Sequence, residues 1–279
     1  MARAGLDRAI CCERADPERA LPPWVRRQSL ERYRWACRFV RGAVVLDAAC
    51  GTGYGSLMLA ESGRAEAVVG VDQESEALAV AAGRSRWCRT VRFMRASVER
   101  LPFPDRCFDV YVSFETIEHI AEPEVFLAEA WRVLKPHGRL LLSTPNRLVT
   151  NPQLPPDGRP LNPYHVREFD PAQLCALLTP HWERVELWGM CLFPKAYVEL
   201  LGGLPAPWLR LPARIHQLVK LPLEVFGSYP ECEPVRCTVR RAERAEYLLM
   251  VCERPKPPPP GSSAMGVHQR RSPPSRRAA

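Results

Sequence analysis

No apolar run in this 279-residue chain approaches the roughly 20 residues needed to span a bilayer. The opening MARAGLDRAICC also lacks a signal-type hydrophobic stretch. A cytoplasmic protein is expected. The chain has 11 cysteines but no C-x-x-C pair, Cys232 and Cys237 standing five apart. An odd count without framework spacing argues against a disulfide scaffold or zinc site and for reduced thiols. No internal repeat is visible. Acids are missing from residues 254–279, where Arg254, Lys256, Arg270, Arg271, Arg276 and Arg277 supply +6 of the formal net charge of +8. The rest is nearly neutral and lacks the basic, aromatic-studded stripe of a nucleic-acid face, so nucleic acid is not the expected partner. Residues 254–279 are rich in Pro and Ser and read as a disordered basic tail.

What is present centres on residues 44–56, VVLDAACGTGYGS. A short apolar run ending in an acid, Asp47, and opening a glycine loop reads as a buried parallel strand feeding a βα turn. Gly51, Gly53 and Gly55 let backbone approach a ligand closely. The helix expected over residues 56–61 points unpaired N–H groups at it. This predicts a nucleotide-type pocket. Cys50, inside the loop, reads as a small filler.

A second strand, AEAVVGV, ends at Asp72, near the ~20-residue spacing at which a strand-end acid meets a ribose diol. Ser75 is expected to cap the next helix, which stops around Gly83. Further strands are expected over residues 90–94, 108–114, 139–145, 183–188 and 245–252. Pro123 should open a helix, and Lys135-Pro136-His137-Gly138 should form a tight turn. Asp170, Pro171 and Gln173 spell a capping box. Upstream, a helix is expected over residues 23–40, anchored by Trp24, Tyr33, Phe39 and Val40. Its arginines, Arg32 among them, read either as a solvated face or as a cation closing over a ligand carboxylate. Residues 190–241 read as an insertion forming a helical cap or a surface-associating segment, with peripheral membrane contact through residues 190–225.

Alternating β and α elements predict a doubly wound, Rossmann-like α/β fold. A dinucleotide-binding loop is disfavoured because Ser56 stands where G-x-G-x-x-G needs glycine. The blocks VLDAACGTGYGS, VVGVD, LPFPDRCFDVYVSFETIEHI and RVLKPHGRLLLSTPN, in that order, resemble class I S-adenosylmethionine (SAM)-dependent methyltransferases. NPYHVREF is similar to segments of bacterial glycan-pathway enzymes, and ETIEHI to the ubiquinone-pathway O-methyltransferases. The resemblance implies a mostly parallel seven-stranded sheet with an antiparallel last strand. It divides the chain into an N-terminal helical segment (1–43), a methyltransferase domain (44–253) holding the insertion, and the tail (254–279). It implies SAM as cofactor, with Asp47, Gly51 and Gly53 along the methionine end and ribose, and Asp72 on the ribose hydroxyls. Phe114 would contact cofactor, Ser97 and Val98 would flank adenine, and Arg32 would take the methionine carboxylate.

Glu115, Glu118 and His119, at i, i+3 and i+4, should share one helix face. With His165 they form a candidate site for a divalent cation such as Mg2+, which would lower the pKa of an acceptor hydroxyl. The alternative needs no metal: His119, or His165 in second place, acts as general base. The implied reaction is O-methylation of a hydroxyl on a small molecule or a sugar or glycan precursor. Two alternatives are an RNA ribose 2′-O-methyltransferase and a non-catalytic cofactor-binding partner.

Overall fold

Apolar strands that need both faces covered, alternating with amphipathic helices, have one economical arrangement: a central sheet with helices on both sides. The computed structural model has that architecture and describes residues 23–152, 158–202 and 230–256. Helix α1 (Pro23–Ala36) runs through a short 3-10 turn (Cys37–Phe39) towards β1 (Val44–Ala48). There follow α2 (Tyr54–Glu61), β2 (Ala67–Asp72), α3 (Ser75–Ser85), β3 (Val91–Arg95) and β4 (Phe108–Phe114). Next come α4 (Pro123–Val133), β5 (Leu134–Pro145), α5 (Arg147–Thr150), α6 (Pro171–Leu178) and β6 (Trp182–Leu192). The described chain closes with α7 (Lys195–Gly202), β7 (Val235–Arg236), α8 (Val239–Ala242) and β8 (Ala245–Pro255).

The sheet order is β3-β2-β1-β4-β5-β8-β6-β7. Strands β1 to β5 pair in parallel, whereas β8 lies antiparallel between β5 and β6. Strand order reverses between β1 and β4, so a crevice opens at their carboxyl ends, where open α/β sheets bind ligands. One sheet face packs Phe126, Leu127 and Leu174. The other packs Trp24, Tyr33 and Trp35 of α1, which places that helix beside the crevice.

Four local expectations are corrected. The sheet has an eighth strand: β7 pairs Val235 and Arg236 with Gly189 and Trp188, within the stretch read as a helical insertion. Residues 135–138 form no separate turn; they bulge out of β5, whose pairing with β4 jumps from Phe108↔Leu134 to Val110↔Arg139. The N-cap of α3 is Glu74, with no side-chain cap; Asp72 Oδ1 accepts the Glu74 amide at 2.9 Å, and the helix continues past Gly83 to Ser85. Strand β6 extends to Leu192 because β8 pairs along nearly all of it. Pro123 opens α4 and the Asp170–Gln173 capping box is fully formed, as the local chemistry requires. The remainder of the insertion and of the basic tail, at 203–229 and 257–279, lies outside the described residues. Among the described residues no helix is long and apolar enough to cross a membrane.

Candidate active site

The turn after β1 is built from left-handed backbone: Ala49 at φ 63°, Gly51 at 55° and Gly53 at 76°. A Cβ added to Gly51 would meet nothing within 4 Å, so this glycine edges open space. Gly55 has a different purpose. A Cβ there would lie 2.0 Å from Cζ of Tyr33, so it lets α1 pack on α2 rather than a ligand on the backbone.

Tyr33, which spacing alone marked only as a helix anchor, reaches the acid of β1. Its hydroxyl donates to Asp47 Oδ1 at 3.1 Å, and the Ser56 hydroxyl donates to Oδ2 at 2.6 Å. Burial pushes the Asp47 carboxyl up to about 6 despite these bonds, which favour its charge. Both its oxygens accept side-chain hydroxyls, which fixes Asp47 at the floor of the loop.

Asp72 ties the second strand to the same loop: its Oδ2 accepts the Gly51 amide at 2.9 Å. At the neighbouring strand end the Gln73 carboxamide donates to Ser97 Oγ at 3.2 Å, and Val98 is buried beside it. The structure therefore brings Asp47, Gly51, Gly53, Asp72, Ser97 and Val98 to one edge of the sheet, as the motifs implied.

Of the two readings of these arginines, the exposed one holds for Arg26, Arg27 and Arg34 on α1 and for Arg38 in the turn after it, and fails for Arg32. Arg32 is buried, with Nη1 3.5 Å from Glu115 Oε1 and its guanidinium 4.7 Å over the Tyr247 ring. That nitrogen has no hydrogen-bond partner among the described residues. Around it lies a network no spacing rule could reveal. Gln28 donates to the buried Glu246 at 2.8 Å, and the Tyr247 hydroxyl donates to Gln28 at 3.2 Å, joining residues about 220 positions apart.

Phe114 ends β4 against Tyr33, ring centroids 5.1 Å apart. The next residue, Glu115, is left-handed at φ 52°, a strained conformation of the kind concentrated at functional sites. Its Oε1 accepts the Ser143 hydroxyl at 2.7 Å. Glu115, Glu118 and His119 do not share a helix face, because only Ile117–His119 is helical and that as a 3-10 turn. The turn leaves Glu115 with Arg32 and sends Glu118 inward.

Glu118 is fully buried. Its Oε2 accepts the Thr144 hydroxyl at 3.0 Å, and its Oε1 has no hydrogen-bond partner among the described residues. Burial, then the charge of Glu115, raise its pKa well above the ordinary carboxylate value. Its backbone carbonyl receives the Val166 amide at 2.8 Å and that of Arg167 at 3.2 Å, which ties the NPYHVREF loop to the ETIEHI box.

That clamp brings the two histidines together, ring centroids 4.9 Å apart. His119 Nδ1 lies 3.0 Å from the Tyr164 carbonyl, an acceptor only, so Nδ1 carries a proton there. His165 Nδ1 donates to Glu168 Oε1 at 2.7 Å, and its Nε2 accepts from the Asn162 amide at 2.9 Å. Glu168 also receives Thr150 and Asn151; these three donors hold it below the ordinary carboxylate value against the effect of burial. Ligand atoms of Glu118, His119 and His165 all lie within 4.8 Å of one another, and Glu115 is not among them.

The strand order and the crevice at its switch point define the fold class. Residues 46–142 match the methyltransferase domain family, and the fold is the class I arrangement. That stretch is similar to the SAM-dependent methyltransferases, and the fold around it is theirs. Its relatives make this more particular. Over 157 residues it is 41% identical to a protein of Mycolicibacterium smegmatis named "Probable S-adenosylmethionine-dependent methyltransferase", covering 56% of this chain and 57% of that one. Over 122 residues it is 34% identical to the demethylmenaquinone methyltransferase of Tropheryma whipplei (strain Twist), covering 42% and 50%. The chain thus spans little more than half the length of these relatives. A solved structure of a SAM-dependent methyltransferase from Thermotoga maritima shares the fold at a TM-score of 0.55 and 15% identity, covering 82% of this chain and 90% of that one.

Proposed function

We propose that this protein transfers the methyl group of SAM to a hydroxyl oxygen of a small acceptor, with His119 as the base. Asp72 accepts the ribose hydroxyls, Arg32 takes the methionine carboxylate, and the adenine lies between Gln73, Ser97 and Val98. The sulfonium is already a good leaving group, so the protein has two tasks: alignment of the acceptor oxygen and removal of its proton. The observation that carries the reading is the anchoring of His119 Nδ1 on the Tyr164 carbonyl beside His165, an arrangement in which a neutral imidazole would use Nε2 as the proton acceptor. The relatives named for demethylmenaquinone support a quinone-type ring as the substrate, and the sugar hydroxyls suggested by NPYHVREF are the other candidate acceptors.

A divalent ion fits the same cluster in one respect: the buried, unpartnered Glu118 Oε1 is an oxygen that a cation would satisfy. Glu118, His119 and His165 would hold it, and it would polarise the acceptor hydroxyl. Two imidazoles with one carboxylate suit a first-row transition ion better than Mg2+. His165 would have to release Asn162 to join.

The test is a methyl-donor assay against quinols, catechols, sugars and short RNAs, with and without chelator. Transfer to an oxygen that is lost on replacing His119 with Ala supports the proposal. Methylated carbon or nitrogen products, or an unimpaired variant, overturn it.

A further inference from the structure

Away from the crevice, α1, α2 and the end of α3 enclose a groove of about 520 Å3. Its floor is apolar, made by Leu30, Leu57 and Met58, and its rim is cationic, made by Arg26, Arg84 and Arg86. Trp87 stands at its edge with 84% of its surface exposed, the most exposed large hydrophobic side chain among the described residues. The Arg86 guanidinium sits 5.3 Å over the Trp87 ring, so indole and cation are presented together. A second groove of about 330 Å3, sharing Arg26 and Leu30, adds Arg27 and Arg34.

Charge here is one-sided. Residues 77–98 contain five arginines and no acid. Arg34 is neutralised by Glu31, but Arg26 and Arg86 have no carboxylate partner among the described residues. A tryptophan left in water beside unneutralised arginines is costly for a surface that stays in water. It suits a boundary between phosphate groups and acyl chains, where indoles settle and guanidiniums bind phosphate.

We propose that this face docks on an anionic phospholipid surface, with Trp87 inserted at the headgroup level, Arg26 and Arg86 on lipid phosphates, and an acyl segment over the apolar floor. Nucleic acid is the less suitable occupant, because sequence-tolerant strand binding needs several stacking aromatics in file and this face offers one indole. The face also adjoins the cofactor loop: Arg84 donates to the Thr52 carbonyl at 3.0 Å, between Gly51 and Gly53.

The test is co-sedimentation of the full chain with vesicles of phosphatidylcholine alone or with about one-third phosphatidylglycerol, against the Arg86→Glu/Trp87→Ala double variant. The expected result is binding only to the anionic vesicles, weakened by high salt, and at least fivefold lower in the double variant at an unchanged melting temperature. Quenching of tryptophan fluorescence by brominated lipid, compared between the wild type and Trp87→Phe, reads insertion without altering charge; the quenched fraction should be lost with Trp87. Wild-type protein that stays in the supernatant, a double variant that binds equally well, or binding to single-stranded RNA but not to vesicles overturns the proposal.

Discussion

The carboxylate of Asp72 accepts the Gly51 amide at 2.9 Å, so the acid ending β2 holds the loop that follows β1. Each strand end alone would be an unremarkable βα turn; joined, they form a preshaped cradle. A hydrogen bond to a charged group is worth about 1.5–3 kcal/mol. Replacing Asp72 with Ala should therefore speed amide hydrogen exchange at Gly51 by about ten- to a hundredfold. Unchanged exchange would show that the loop is held by other means.

The glycines of the loop should separate by substitution. Gly55→Ala places a methyl 2.0 Å from the Tyr33 ring and should cost about 1–3 kcal/mol in urea unfolding. Gly51→Ala meets open space and bears only the left-handed backbone penalty, about 1–2 kcal/mol, yet its methyl enters the space proposed for the cofactor. Cofactor affinity should fall more for Gly51→Ala, and stability at least as much for Gly55→Ala.

Asp47 makes stability depend on pH with a defined sign. Its pKa is pushed up to about 6 in the folded chain, against an unfolded value near ~3.9. Its contribution is whole below about pH 4 and is lost as pH rises through 6, reaching about 3 kcal/mol. Asp47→Asn removes that loss. The stability of the variant relative to wild type should thus rise by roughly that amount between pH 4 and 7.5 in urea melts. A constant difference would contradict the buried, charge-averse setting of Asp47.

The roles proposed for the two histidines are separable. His119→Ala should lower kcat by about 10²–10⁴ while leaving SAM affinity unchanged, since general-base catalysis contributes about that much. Glu168→Gln should act through His165 and the loop, raising acceptor KM more than it lowers kcat. Equal losses from both in cofactor affinity would move the pair out of the acceptor site.

Much of this was legible because it is local chemistry. The β1 run into Asp47, the limits of β4, Pro123 at the start of α4 and the Asp170 capping box are decided by neighbours a few residues apart. Relationships set by tertiary packing were not. The bulge at residues 135–138 looks like a turn until β4 claims both its flanks. E-x-x-E-H looks like one helix face until the Glu115 backbone turns left-handed and parts the carboxylates. Tyr33 on Asp47 and Gln28 on Glu246 join α1 to distant strands, and no periodicity announces them.

The most direct measurement is a calorimetric titration of S-adenosylhomocysteine, the demethylated cofactor, into the wild-type chain and Asp72→Ala. The account predicts one-to-one binding that weakens at least tenfold in the folded variant. Equal affinity in the two proteins would place the nucleoside elsewhere and contradict it.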